Sequence, residues 1–276
     1  MMSAFSDTVL DIVLWFRVGR TAKEIGMCLY LPHLEAVPRC IRRSDLPPRP
    51  DHAVRTIIVS DTHEQHQCIG DLAGDVFIHA GDILMTNSLY SINASIERLR
   101  KFNAWLSTSV HCPCKIVIAG NHDKIIEHLG PEKTQSLLSE AIYLENTSVE
   151  VGSLLIYGTP MSSGRSHNTA FQSEEFAQQT VQGLQATAAQ RPVHILVTHG
   201  PCPELVSVLR DAPPVLHVWG HLHGYHGVWG TNDKLWGRRL KCVNVNGSIM
   251  NSSYDPHNFP VIVDIPHQTK PIAILP

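Results

Sequence analysis

Five short apolar runs of this chain each end in a turn loaded with side chains that bind metals or move protons. Residues 54–60 lead into Asp61-Thr62-His63, residues 76–79 into Gly81-Asp82, and residues 116–119 into Gly120-Asn121-His122-Asp123. Residues 195–197 lead into Thr198-His199-Gly200, and residues 215–219 into Gly220-His221-Leu222-His223. β-Branched runs of this length, bounded by turn residues, read as buried strands. In an open α/β sheet, side chains leave the packed layer at the carboxyl ends of the strands and converge on a crevice. The pattern predicts an α/β fold that delivers carboxylates, an amide and imidazoles to one edge. A lone histidine after a strand is more often a hydrogen-bonded structural residue than a ligand. Agreement among many candidates in one ordered set reverses that reading.

The segments between these runs read as helices and further strands. Residues 89–106 carry helical spacing through Ile92, Ile96, Leu99, Phe102 and Leu106. Helices are also predicted at 124–129, 134–140, 173–189 and 203–209. Glu174 and Glu175 fall in the first turn of the helix at 173–189, where acids suit the helix dipole. Residues 141–144, 149–151 and 154–157 follow one another too closely for long crossovers, so part of the sheet structure is antiparallel. Residues 239–245 and 261–265 supply late strands. Mixed strands enclosed by helices imply a layered α/β sandwich.

The first fifty residues read differently. Residues 9–16 are apolar, but Asp11 and Arg17 confine them to far fewer than the roughly 18 uncharged residues of a spanning helix. Neither a membrane span nor a signal peptide is expected there. Ser6-Asp7 can cap a short helix that packs on the catalytic domain or, as the alternative, lies on a membrane surface. Residues 38–51 combine Pro38, Pro47, Pro48 and Pro50 with Arg39, Arg42, Arg43 and Arg49 and read as a solvated linker. The expected organisation is an extension and linker over 1–50, then one catalytic domain over 51–276. A formal net charge of −3 offers no broad positive field for nucleic-acid backbones. Seven cysteines form an odd, unpatterned count that fits a reducing, cytoplasmic compartment. Cys112-Pro113-Cys114 beside His111 lacks the second cysteine pair of a zinc ribbon and reads as a loop entering a strand.

The ordered set Asp61-x-His63, Gly81-Asp82, Gly120-Asn121-His122-Asp123, Thr198-His199 and Gly220-His221-x-His223 resembles the signature of calcineurin-like metallophosphoesterases. Thr198-His199-Gly200-Pro201 and residues 220–227 resemble most the metallophosphoesterase-domain-containing subgroup, whose activity is cyclic-nucleotide and phosphodiester hydrolysis. The likeness leaves the first fifty residues unexplained. It implies a four-layer α/β/β/α sandwich with two mixed sheets. Carried over residue by residue, it implies that Asp61, His63, Asp82 and His223 hold one divalent ion and that Asp82, Asn121, His199 and His221 hold a second. Asp82 would bridge the two. The donor set admits several metals, with Mn or Fe expected and Zn, Ni or Mg compatible. The family places His122 toward the leaving-group or an equatorial oxygen, as acid or electrostatic stabiliser, with Asp123 orienting its ring.

Protein phosphatases of this superfamily follow Gly-Asp with an Asp-Arg-Gly run that binds phosphate. Here Gly81-Asp82 continues Ile83-Leu84-Met85, which argues against a phosphoprotein substrate. The glycine-, serine- and asparagine-rich stretch 161–172 offers Arg165, His167 and Asn168 as substrate contacts, with an ordinary exposed loop as the alternative. His79 reads as a packed residue or a support for Asp82, and Asn244, Asn246 and Ser248 as supports for the pocket. The expected substrate is a small phosphodiester or nucleotide. A phosphomonoesterase, a non-catalytic scaffold on the same fold and a nuclease are the alternatives, the last weakened by the lack of a basic, aromatic-interleaved groove.

Overall fold

A computed structural model describes residues 26–85, 91–164, 167–231, 233–235, 238–239 and 241–266. The helix expected near residues 6–16 and the candidate contact Arg165 lie outside the described residues. The strands are β1 (Met27–Leu31), β2 (Arg39–Arg42), β3 (Ala53–Val59), β4 (Leu72–Ala73), β5 (Val76–Ala80), β6 (Val110–His111), β7 (Cys114–Ile118) and β8 (Ile142–Tyr143). They continue with β9 (Thr147–Val151), β10 (Leu154–Thr159), β11 (Ile195–Thr198), β12 (Leu216–Trp219), β13 (Gly227–Trp229), β14 (Lys234–Leu235), β15 (Arg238–Arg239), β16 (Val243–Asn246) and β17 (Val261–Pro266). The helices are α1 (Ile92–Ser109), α2 (Lys124–Leu129), α3 (Pro131–Leu137), α4 (Glu174–Gln190) and α5 (Val206–Asp211).

Two mixed sheets carry the fold. The first has seven strands in the order β2-β1-β17-β3-β5-β7-β8, and the second has six in the order β13-β16-β12-β11-β10-β9. Strands β3, β5, β7 and β8 run parallel, as do β10, β11, β12 and β16. Strands β9 and β13 join the second sheet antiparallel, one at each edge, which the short spacing between residues 141 and 157 anticipated on one side.

The period of two along each strand sorts apolar side chains into layers. In β3 and β5, Val54, Ile58, Val76, Ile78 and Ala80 pack against Ile156, Ile195, Val197, Leu216 and Val218 of the second sheet. The alternate residues Ile57, Val59 and Phe77 pack on Leu99, Phe102, Trp105 and Leu106 of α1 and on Ile125 and Ile126 of α2. On the far side, Leu155, Tyr157 and Leu196 meet Leu184 of α4 and Val208 of α5. The result is helix, sheet, sheet, helix, as the resemblance implied.

The segment before residue 50 departs from the linker expectation. Strand β1 pairs parallel with β17, and β2 pairs antiparallel with β1. A buried cluster ties them inward, with Tyr30 Oη donating to Asp264 at 2.7 Å and Arg55 donating to both oxygens of the same carboxylate at 2.9 and 2.8 Å. The prolines misled because Pro38 precedes β2 and Pro47, Pro48 and Pro50 follow it, so none interrupts the ladder. The arginines fit because β2 is an edge strand, where exposed charge is the usual guard against further pairing.

Candidate metal centre

Parallel strands from both sheets end on one side of the molecule. Asp61 and His63 follow β3, Asp82 follows β5, Asn121 and His122 follow β7, His199 follows β11, and His221 and His223 follow β12. A parallel bridge between Ser60 and Ser248 ties the end of β3 to the segment after β16, which brings the two sheets together there. Two glycines permit the close approach. A Cβ on Gly120 would overlap Asp82 Oδ1, and one on Gly220 would overlap Ser60 Oγ and Asp61 Oδ2.

The histidines are oriented by main-chain carbonyls. Nδ1 of His63 faces Leu84 O at 2.9 Å, Nδ1 of His199 faces Ala80 O at 2.9 Å, and Nδ1 of His223 faces Asn251 O at 3.0 Å. A carbonyl oxygen only accepts, so each Nδ1 carries a proton and Nε2 is the atom each ring turns inward, with a lone pair available whenever the ring is neutral. Those Nε2 atoms point at one another and at carboxylates. His63 Nε2 lies 3.4 Å from His223 Nε2, His223 Nε2 lies 3.3 Å from Asp61 Oδ1, and His199 Nε2 lies 3.2 Å from Asp82 Oδ2. Asn121 joins by its oxygen, because its Nδ2 donates to Asn168 O at 3.0 Å. That leaves Oδ1 at 2.9 Å from His199 Nε2 and 2.8 Å from His221 Nδ1. Buried acceptors facing acceptors repel unless positive charge lies among them. This donor set of imidazole nitrogens, carboxylates and an amide oxygen fits divalent transition metals.

The electrostatics agree. Burial alone would raise the Asp61 and Asp82 carboxyls, yet the histidines around them hold both well below the usual range. Burial likewise opposes charge on His199, but Asp82 beside it raises that ring to about 9, so without a metal ion a proton on Nε2 supplies positive charge against Asp82 at the place an ion would take. His221 falls to about 4 through burial and the neighbouring His199. Ligand atoms of Asp61, His63 and His223, of His63, Asp82 and His122, and of Asp82, His199 and His221 converge closely enough in each trio to hold an ion.

Residues 54–225 match the family model for calcineurin-like phosphoesterases. This chain belongs to the calcineurin-like phosphoesterase family. The human protein "Metallophosphoesterase domain-containing protein 1" is 32% identical over 260 residues, covering 79% of this chain and 73% of its own. A UPF0046 protein of Caenorhabditis elegans is 31% identical over 254 residues, covering 78% of this chain and 82% of its own. A solved crystal structure superposes with a TM-score of 0.50 at 12% identity, over 70% of this chain and 90% of that one, and shares the fold. Family membership makes this a phosphoester-hydrolase scaffold with histidine and carboxylate clusters suited to divalent metals.

Each of the eight family-matched residues, Asp61, His63, Asp82, Asn121, His122, His199, His221 and His223, reaches this one cluster. Asp123 requires a correction. It does not orient the His122 ring, whose Nδ1 instead faces Met85 O at 2.9 Å. Its buried carboxylate accepts from the main-chain N–H groups of Gly120, Ile83 and Leu84 at 2.8, 3.1 and 2.9 Å. Asp123 therefore pins the loop after Asp82 to the turn that carries Asn121 and His122. His79 is a packed residue, as one of the two readings had it: it lies wholly buried against Phe102, and its Nε2 bonds Thr62 Oγ1 at 3.0 Å, which braces the Asp61–His63 turn rather than Asp82.

Asn168 lies against His122, with Nδ2 2.9 Å from Nε2, while His167 is exposed. Ser248 Oγ donates to Asp61 Oδ2 at 2.7 Å, and Asn246 receives Ser248 N and donates to Leu222 O, so both support the cluster directly. Asn244 supports it from behind, through His217 and Thr198. Tyr254 and Asn251 were not anticipated. The stretch Asn251-Ser-Ser-Tyr-Asp-Pro signals only a turn, and nothing in it announces contact with His223, His122 or His63.

Proposed function

We propose that this protein is a metal-dependent phosphodiesterase acting on small phosphodiesters, with cyclic nucleotides as candidate substrates and two divalent ions, Mn or Fe, as cofactors. Asp61, His63, Asp82 and His223 would hold one ion, and Asp82, Asn121, His199 and His221 the other. Such a pair, when bound, supplies Lewis acidity toward phosphoryl oxygens and activates a water as nucleophile. The observation that carries this reading is the convergence of Nε2 from three backbone-anchored rings on one another and on two carboxylates, an arrangement that calls for positive charge among its members.

His122 is the protein's own reacting group in this scheme. Its Nδ1 is committed to Met85 O and its Nε2 accepts from Asn168 Nδ2 while the ring is neutral, so Nε2 would give a proton to the leaving oxygen, or stabilise an equatorial one, only as an imidazolium that has let go of Asn168. Asn168, bonded to that ring, would hold its orientation. A phosphoprotein substrate is disfavoured because Ile83 and Leu84, which stand where protein phosphatases carry Asp-Arg-Gly, are buried and hold Asp123 through their N–H groups. Room for a small organic group exists beside His221. Residues 161–164 and 171–174 with α4 line an open cleft of about 700 Å³ whose link to the cluster is Gly164, where a Cβ would stand 3.2 Å from His221 Nε2. Among the described residues no helix is long and apolar enough to cross a membrane. The odd cysteine count supports a cytoplasmic setting.

The test is hydrolysis of bis(p-nitrophenyl) phosphate against p-nitrophenyl phosphate by stripped protein reloaded with manganese, with Asp82→Ala as control. A diester preference abolished in the control supports the proposal. A monoester preference would replace it with a phosphomonoesterase, and failure to bind metal would overturn the centre itself.

A further inference from the structure

Backbone strain marks this site with unusual selectivity. Among the described residues, eight non-glycine positions have φ in the left-handed region, and they include Asp61, His63, Glu64, Asp82 and His221 in or beside the cluster. Tyr254 belongs to the same set, with φ +61°. A bulky aromatic residue holds that conformation only when its surroundings impose it. They do so here: Asn251 Oδ1 accepts from Ser253 N at 2.8 Å and Asp255 N at 3.0 Å, Asn251 O accepts from Tyr254 N at 3.0 Å, and Gln65 Nε2 reaches Tyr254 O at 3.5 Å. The same Asn251 O fixes the tautomer of His223. The loop that aims Tyr254 is thus anchored to the cluster.

The aim is specific. The Tyr254 ring centre lies 4.8 Å from that of His223, 5.0 Å from His63 and 6.1 Å from His122. Yet the residue is 37% exposed and lies outside the three apolar cores. A tyrosine needed only for packing would be covered, and a strained one with an open ring costs stability without return unless something docks on it. We propose that Tyr254 is a specificity-determining residue: its half-exposed ring is a wall against which a flat, ring-bearing ester group of the substrate packs while the phosphate lies over the histidine–carboxylate cluster. This rests on the phosphoester reading above and adds to it a preference for esters with a planar organic group.

The test compares equilibrium binding of phenyl phosphate and methyl phosphate to manganese-loaded protein by titration calorimetry. Wild type is expected to favour phenyl phosphate by about tenfold, a typical return for one aromatic contact. Tyr254→Gly is the informative variant, because glycine adopts this φ freely and leaves the loop relaxed. It should erase the preference while holding methyl phosphate affinity within about twofold, and Tyr254→Phe should retain the preference. Equal affinities in wild type, a preference that survives in Tyr254→Gly, or a parallel loss of methyl phosphate binding would each overturn the proposal. Failure of the phosphodiesterase reading looks different: diesters would go unhydrolysed while the phenyl preference persisted.

Discussion

Asp123 offers the sharpest separation between a residue that serves chemistry and one that serves the scaffold. It occupies the N-cap position of α2 directly after Asn121 and His122, yet its side chain neither caps the helix nor partners the imidazole. No side-chain capping bond forms at the start of α2, and the carboxylate turns instead to three main-chain donors. Asp123→Ala would strand all three in a region where Ile83 and Leu84 are almost wholly buried. Unsatisfied buried donors cost about 1–3 kcal/mol each, so the variant should lie roughly 3–6 kcal/mol below wild type once some rewetting is allowed. That is a large share of the ~5–15 kcal/mol by which natural domains are stable. Asp123→Asn should cost only about 1–3 kcal/mol, because one oxygen receives both Gly120 and Ile83 and an amide carbonyl can replace it, losing Leu84 alone. The assay is urea unfolding of metal-free protein, so that altered metal affinity does not enter the comparison. Equal losses in the two variants, or an alanine variant within about 1 kcal/mol of wild type, would refute the argument.

Two further outcomes follow from neighbouring residues. His122→Ala should keep its metal content and lose turnover by about 2.7–4 kcal/mol of barrier, the range for removing one aligned stabilising group; normal turnover in metal-loaded variant would defeat the role given to that ring. Burial lowers His66 to about 4 and His217, which also bonds Asn244, to about 4. Both folded values lie below the unfolded value near 6.5, so the neutral rings contribute stability above that pH, and it is lost as pH falls toward 4. The loss is roughly 2 kcal/mol per ring at pH 5. His66 packs on Phe102 and Trp105 with both ring nitrogens unpartnered, so His66→Phe should remove its share of the acid lability in melts at pH 7 and pH 5. An unchanged pH slope would show that the ring is not the source.

The parts of the site legible in the sequence were those written in consecutive residues. Each candidate ligand follows a strand by one to four positions, so apolar run plus polar turn located Asp61, Asp82, Asn121, His199 and His221 before any sheet order was known. Relations between turns were not legible. That Asp123 reaches Ile83 and Leu84, forty and thirty-nine positions away, depends on β5 and β7 lying side by side. Strand β1 was missed for a related reason: what joins it to the main sheet is β17 at the far end of the chain, through the register of Leu29 with Val261, and its near partner β2 lies in the proline- and arginine-rich stretch. Sequence pattern also judged the 38–51 segment by its prolines as a group, whereas their effect depends on falling just outside four residues of ladder.

The rigidity of this centre comes from the order in which its parts are fixed. Apolar packing between the two sheets sets the strand ends, and the glycines at 120 and 220 let those ends approach within contact of carboxylates. Main-chain carbonyls at Ala80, Leu84 and Asn251 then take one nitrogen of each of three rings, so tautomer and direction are settled by backbone rather than by other titratable groups. Left-handed backbone at Asp61, His63, Asp82 and His221 is the cost of turning these side chains inward at once. A fold that bears such strain while directing lone pairs at one another is stable only because the surrounding layers leave those residues little alternative. Cations placed among the lone pairs would relieve the repulsion without moving the scaffold. Metal binding should therefore raise thermal stability more than it changes backbone structure, since the candidate ligand atoms already converge in the absence of an ion.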